Sequence, residues 1–205
     1  MKPSFFIGII LVVVVILIYS LSDEQINQGY LQKIETYRAK KDTTFLTDIN
    51  SPLDKKQKKD FKGLSYYAPN LTYRIEADFI EFDIKEMIKL GTTRNGERDY
   101  IKFGKAVFRL EGITHELLLL QPAEKRTSTM FLAFTDETSG FETYGGGRYL
   151  DVEVKKGKAM IDFNYAYNPY CSYNAAYDCV LPLKENHLKV KIQAGEKTTQ
   201  KDKQQ

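Results

Sequence analysis

The sequence predicts a mainly β protein, a β-rich α+β chain folded as an antiparallel sandwich or partly closed barrel, with one N-terminal membrane or stalk helix. Three observations lead there. Apolar and polar residues alternate in several short runs after residue 70, the period of half-buried strands. Gly, Asn and Pro punctuate those runs, while helical spacing is confined to the first forty residues. The chain has 14 Tyr, 12 Phe and no Trp, a composition that suits strands.

Size and charge narrow the function class. Of 205 residues with net charge +3, about 170 remain after an apolar leader and a polar tail, enough for one domain with a sizeable core. That balance lacks the concentrated basic field of a nucleic-acid binder, and no nucleic-acid partner is expected. The one basic cluster, Lys55, Lys56, Lys58 and Lys59 beside Asp54 and Asp60, reads as a solvated loop.

Residues 1–22 read as a membrane anchor or signal segment. Phe5–Leu21 is seventeen residues without a charge. As a helix it would reach ~25 Å, slightly short of the ~30 Å hydrocarbon slab. The preferred reading is an uncleaved signal anchor of a single-pass cell-membrane protein. Ser20-Leu21-Ser22 also fits a small-x-small cleavage site, so the alternative is a secreted or periplasmic protein. Lys33, Arg38, Lys40 and Lys41 would favour a cytoplasmic flank. Asp23 and Glu24, the four-residue leader and a downstream cysteine pair favour a domain outside the cytoplasm.

Residues 23–60 are expected to form a stalk helix and linker. Ser22 to Gln25 has capping-box spacing, and Ile26, Tyr30, Ile34 and Tyr37 recur on one helical face that would dock on the domain. Residues 42–70, with Asn50, Ser51, Pro52, Gly63, Pro69 and Asn70, read mostly as loop.

The β-rich domain is placed at residues 61–197 and a frayed tail at 198–205. Leu71, Tyr73, Ile75, Ala77 and Phe79 alternate with polar residues; then Ile80, Phe82 and Ile84 become the apolar set. A one-residue slip of this kind predicts a bulge. Ala106, Phe108 and Leu110 mark a second strand, Leu117–Leu120 a third after a turn near Gly112, and Met130–Phe134 a fourth. Tyr149–Val154 and Ala159–Asn164 form a predicted hairpin about Lys156 and Gly157, and Leu188–Ile192 closes the domain. In that register Asp151 would face Asp162, two like charges that need a cation, an Arg or open solvent.

The segments FKGLSYYAPNLTYR (Phe61–Arg74), FTDETSGFETYGGGRYL (Phe134–Leu150), DFNYAYNPYCSYNAAYDC (Asp162–Cys179) and ENHLKVKIQAGEK (Glu185–Lys197) together resemble the domain of unknown function 1684 family. Val180 departs from the Pro that the family typically carries after the second cysteine. The resemblance implies a shared β-rich fold and brings no activity with it.

Candidate site residues crowd into residues 131–196. Tyr144, Arg148, Asp162, Asn164, Tyr167 and Asn168 would line a pocket for a small polar ligand or an envelope partner. Thr143 to Arg148, with three glycines, could offer amides and a guanidinium to an anion, but no helix pattern follows and the Lys of a P-loop is missing. Three adjacent glycines also serve close backbone packing. The competing readings are a hydrolase using Asp162 with Asp151 or Glu185, and a purely structural envelope module.

Cys171 and Cys179, with seven residues between them, are predicted to form a disulfide worth ~2–3 kcal/mol in an oxidising compartment. His115 reads as an exposed turn-side residue. His187 is the only histidine placed to assist a cysteine, and neither histidine has ligand spacing to one, so no metal or cofactor is expected. Asp136, before Thr138 and Ser139, reads as turn chemistry that could join a pocket.

Overall fold

The computed structural model describes residues 27–124 and 127–198. The proposed anchor, the Ser22 capping box and the tail beyond residue 198 lie outside the described residues. No described helix is long and apolar enough to cross a membrane. Helix α1 covers residues 27–47, several residues further than the sequence pattern suggested. Its residues up to Lys41 form a unit of their own, and Asp42 onward forms the second.

Within the second unit the expected loop at 42–70 contains helix α2, Lys55–Asp60. The basic cluster is therefore helical rather than irregular. Asp54 accepts from the Gln57 amide at 2.7 Å while Gln57 Oε1 accepts from the Asp54 amide at 2.8 Å, a capping box that satisfies two otherwise orphaned donors. A run of lysines hides this signal from hydrophobic periodicity, since α2 buries no residue.

Seven strands follow: β1 Arg74–Gly91, β2 Glu97–Leu110, β3 Ile113–Pro122, β4 Met130–Asp136, β5 Arg148–Lys155, β6 Lys158–Asp162 and β7 His187–Leu188. Their order is β3-β2-β1-β6-β5-β4-β7, with β3 also meeting β4. Six strands thus form a ring, and the partly closed barrel prevails over the sandwich. The seam is narrow, for β3 and β4 pair only at Leu120 and Phe131. Beyond that pair, β7 lies parallel to β4 at Thr135–His187, so the sheet is mixed rather than wholly antiparallel.

Period-two alternation fills the ring. Ala77, Ala106, Phe108, Leu117, Leu119, Leu132, Phe134, Leu150, Val152, Ala159 and Ile161 form one buried cluster. Removing this apolar surface from water is the main term favouring the fold. The parity slip in β1 becomes a bulge between Glu81 and Glu86. A second bulge, between Lys102 and Gly104 of β2, inserts Phe103. A one-residue insertion moves all later side chains to the other face. That is why Tyr100 joins a second cluster with Leu90, Leu120, Ala133, Tyr149, Cys179 and Val180, while Ala106 stays in the first. Gly104 is required at the bulge, since a Cβ there would lie 2.5 Å from the Ile80 carbonyl oxygen.

The β5–β6 hairpin turns at Lys156 and Gly157, with φ of 51° and 73°, the left-handed pair of a two-residue hairpin turn. The predicted register holds for Lys155–Lys158, Val154–Ala159 and Glu153–Met160 and then stops. Asp151 pairs instead with Phe131 of β4, and Asp162 with Arg74 of β1. The facing aspartates expected from the sequence do not form, because a two-stranded ribbon was extrapolated into a ring whose strands splay to new neighbours.

Candidate functional site: a tyrosine-walled pocket outside the ring

Strands β3 and β4, and β5 at Tyr149 alone, carry apolar residues on their outer side too, where the segment after β6 runs back across them. Tyr149 and Tyr167 form an isolated antiparallel bridge, with amide-to-carbonyl distances of 2.8 and 2.9 Å. The Tyr149 hydroxyl donates to the Val180 carbonyl at 2.5 Å. Between this segment and the strands opens a pocket of about 610 Å3. Its aromatic lining is Tyr100, Phe131, Tyr149, Tyr167, Tyr170 and Tyr177.

The rings hold one another in place. Phe131 packs edge-on to Tyr149 at 4.8 Å, Tyr149 edge-on to Tyr167 at 5.9 Å, and Tyr170 edge-on to Tyr177 at 5.3 Å. Edge-to-face pairs of this kind add to area burial and fix ring orientation. Polar groups sit at the margin. Arg98, which also lines the pocket, donates through Nη2 to the Asp178 carbonyl at 2.7 Å. The Tyr167 hydroxyl donates to Asp151 at 3.4 Å. Burial pushes the Tyr149 and Tyr100 hydroxyls upward and keeps them neutral. Desolvation raises the Asp151 carboxyl as well, offset in part by the Tyr167 hydrogen bond.

Of the six residues singled out in the sequence, Tyr167 lines this pocket and the other five do not. Arg148 is completely buried. Its Nη2 donates to Asp136 Oδ2 at 2.7 Å and to the Ile192 carbonyl at 2.9 Å, and its Nη1 to the Ala194 carbonyl at 2.5 Å. Asp136 Oδ1 in turn accepts from the Thr138 amide at 2.8 Å and its hydroxyl at 2.6 Å. The guanidinium therefore points inward and clasps the C-terminal segment. Only its Nε has no acceptor among the described residues. Gly147 enables this turn, at φ +87° with no room for a Cβ beside the Phe134 carbonyl oxygen 2.6 Å away.

Asp162 caps the turn at Phe163–Tyr165 by accepting from the Asn164 amide at 3.1 Å, and pairs with Arg74 Nε at 3.8 Å. Asn164 is buried and exchanges two 2.8 Å hydrogen bonds with the Asn70 backbone, docking the approach to β1. Asn168 is buried against Glu196, donating to Oε1 at 3.2 Å and to the Lys197 carbonyl at 3.1 Å. Tyr144 places its hydroxyl 3.9 Å from Cys171 Sγ. Asp162 and Asn164 thus meet, and Arg148 and Asn168 share Glu196, but these groups spend their hydrogen bonds on one another and on the main chain, away from the pocket.

The expected disulfide is not formed. Cys171 and Cys179 are free thiols in hydrogen-bond contact, and the Cys171 amide donates to Cys179 Sγ at 3.2 Å. His115 is buried, not exposed, stacking on Phe108 at 5.6 Å because it faces that residue across the β2–β3 ladder. His187 meets Thr135 at 3.0 Å and Glu137 at 3.3 Å rather than a cysteine. Among the described residues no group of three or more His, Cys, Asp or Glu is placed to hold a metal.

Two features escaped the sequence reading. The outward aromatics Tyr100, Phe131 and Tyr149 carry the pocket, and their signal is apolar character on both parities of β4 and a lone aromatic on the otherwise polar outer parity of β5. Asn186 is the other. It accepts from the Leu118 amide at 2.7 Å and donates to the Leu118 and Ala133 carbonyls, both at 3.0 Å. One amide side chain thus mimics a strand residue and stitches β3 to β4 where the seam opens.

Comparison with known proteins agrees with this architecture. The chain is similar to the solution NMR structure of an uncharacterised protein from Haloarcula marismortui, with 32% sequence identity and a TM-score of 0.67, over 84% of this chain and 96% of that one. No curated protein matches. The family described as "protein of unknown function (DUF1684)" matches residues 59–197, and the chain belongs to that family.

Proposed function

We propose that this domain is a binding module that takes a small polar ligand with a flat apolar face into the tyrosine-walled pocket. The observation that carries this reading is the convergence of six rings on one open cavity of about 610 Å3. Ligand sites are concave, mostly apolar and edged by a few polar groups. Here Arg98 and Asp178 supply the edge, and Asp151 sits one hydrogen bond from Tyr167. Such a wall stacks on the face of a ring while the rim groups recognise its substituents. The module would be tethered outside the cytoplasm by the apolar segment Phe5–Leu21.

The chain contains no Trp, so its intrinsic emission comes from tyrosine alone. Titration of isotope-labelled protein with monosaccharides, amino acids, amines and short peptides should give at least one series of amide shifts centred on Arg98, Tyr167 and Tyr177–Val180, with a parallel change in tyrosine emission. Tyr167→Ala should weaken that response in a chain that still gives the dispersed amide spectrum of the folded ring, at some cost in unfolding midpoint from the lost ring packing. A response centred elsewhere on the ring, or unchanged in Tyr167→Ala, would remove the basis for this reading.

A further inference from the structure

The segment that forms the outer wall of the pocket is bracketed by its two thiols. Tyr170, Ala176, Tyr177, Asp178 and Cys179 all face the cavity, and Cys171 and Cys179 stand at the two ends of the intervening turn. Cys179 Sγ already lies 3.2 Å from the Cys171 amide nitrogen. Cys171 is half-buried, and Cys179 is 9% exposed at the pocket surface. The Cys171 amide holds Cys179 Sγ at that distance, the Cys179 amide donates to Thr93 Oγ1 at 3.1 Å, and Cys171 Sγ lies 3.9 Å from the Tyr144 hydroxyl.

From this geometry we infer that Cys171 and Cys179 are a redox-active dithiol that exchanges with a small disulfide and closes into an intrachain bond, stapling the pocket wall. The inference does not depend on what the pocket holds.

The chemistry is balanced by the two thiols and the small disulfide. The Cys171 thiolate attacks one sulfur of R–S–S–R, forms a mixed disulfide and expels RS⁻. Cys179 gives its proton to that leaving thiolate. Its sulfur then attacks Cys171 Sγ and expels the second RS⁻, which takes a proton from water. Two protein thiols are oxidised to one disulfide and one small disulfide is reduced to two thiols.

The surroundings divide these roles. The Cys179 hydrogen bond holds the Cys171 thiol down at about 7, aided by the Tyr144 and Thr93 hydroxyls, against desolvation. Cys179 is pushed upward by sharing its proton with Cys171 and by burial. The other titratable or charged groups that act on the pair are the neutral Tyr149 phenol and Arg98. One sulfur is thus partly thiolate near neutral pH while its neighbour stays protonated, the division that an attacking and a resolving thiol need.

The test uses the full chain, reduced and then exposed to glutathione disulfide, read by intact mass and by hydrogen exchange. The wild type should lose the mass of two hydrogens, retain no glutathione, and show slowed amide exchange at residues 172–178 with the rest of the ring unchanged. Cys179→Ser should keep one glutathione as a stable mixed disulfide. Cys171→Ser should react about tenfold more slowly at neutral pH, since its remaining thiol is mostly protonated. Retained glutathione on the wild type would overturn the proposal. Equal reactivity of the two Ser variants would do the same, as would closure that leaves exchange at 172–178 unaltered. Unfolding of the reduced chain would make the bond a constitutive staple and end the idea of exchange.

Discussion

The clasp around Arg148 and the pocket beside Tyr167 are neighbours in sequence and opposites in construction. At Arg148 a charge is withdrawn from water and met by Asp136 and main-chain carbonyls, so nearly all its donors are used internally. At the pocket, six rings form a wall, and the charged groups stand only at its rim. The contrast shows that clustered polar residues mark where this fold ties itself together, while its aromatic surplus marks where it can receive something else. Burying a charge is tolerable only with full compensation, and that compensation leaves nothing for a ligand.

Breaking the clasp should have the largest effect. Arg148→Ala strands the Asp136 carboxylate in the interior, and loss of one partner of a buried pair costs about 3–5 kcal/mol. Urea denaturation should show that loss, with the pocket disturbed only through global unfolding. Asn186→Ala comes next, leaving the Leu118 amide and two carbonyls unsatisfied at the seam. A cost of about 1–3 kcal/mol is expected in the same measurement.

The pocket should respond differently, and with pH. The folded-state affinity of Asp151 for its proton is raised by desolvation above the ordinary carboxyl value. The folded chain therefore holds that proton more tightly than the unfolded one. This stabilising contribution is complete below the ordinary carboxyl value and is lost as pH rises through the raised one. Asp151→Asn should accordingly raise the thermal midpoint near pH 7 and change it little below about pH 4. An equal shift at both pH values would show that the carboxylate is not desolvated. The smallest effect belongs to Tyr167→Phe, which keeps the ring and removes one 3.4 Å hydrogen bond. Its stability should stay within about 0.5 kcal/mol of wild type. A larger loss would mean that the wall, like the clasp, is structural.

Much of the ring was legible in the sequence because its period-two runs report directly on burial. The β2–β3 and β5–β6 hairpins carry left-handed turn pairs at Glu111–Gly112 and Lys156–Gly157, and the slip near Ile80 reports the β1 bulge. The site was less legible, for reasons that local spacing cannot reach. Asp136 and Arg148, on neighbouring strands, meet Ile192 only because the C-terminal segment docks beside them, joining residues 44 positions apart. Asp151 and Asp162 were mispaired because a hairpin extends straight in sequence but splays in a barrel. Tyr100 is displaced to the outer face by Phe103, a single insertion with no compositional mark. The cysteines were joined on the strength of compartment and spacing, neither of which reports the separation of two sulfurs.

The narrow seam between β3 and β4 makes closure of the ring depend on a distant part of the chain. Its stitch, Asn186, the strand β7 that extends the sheet beyond β4, and the carbonyls that clasp Arg148 all come from the last stretch of the domain. Without this final ribbon, β3 and β4 would meet only at Leu120 and Phe131. The ring is therefore completed by a ribbon that comes after all six of its strands in the chain, as an arch is completed by its keystone.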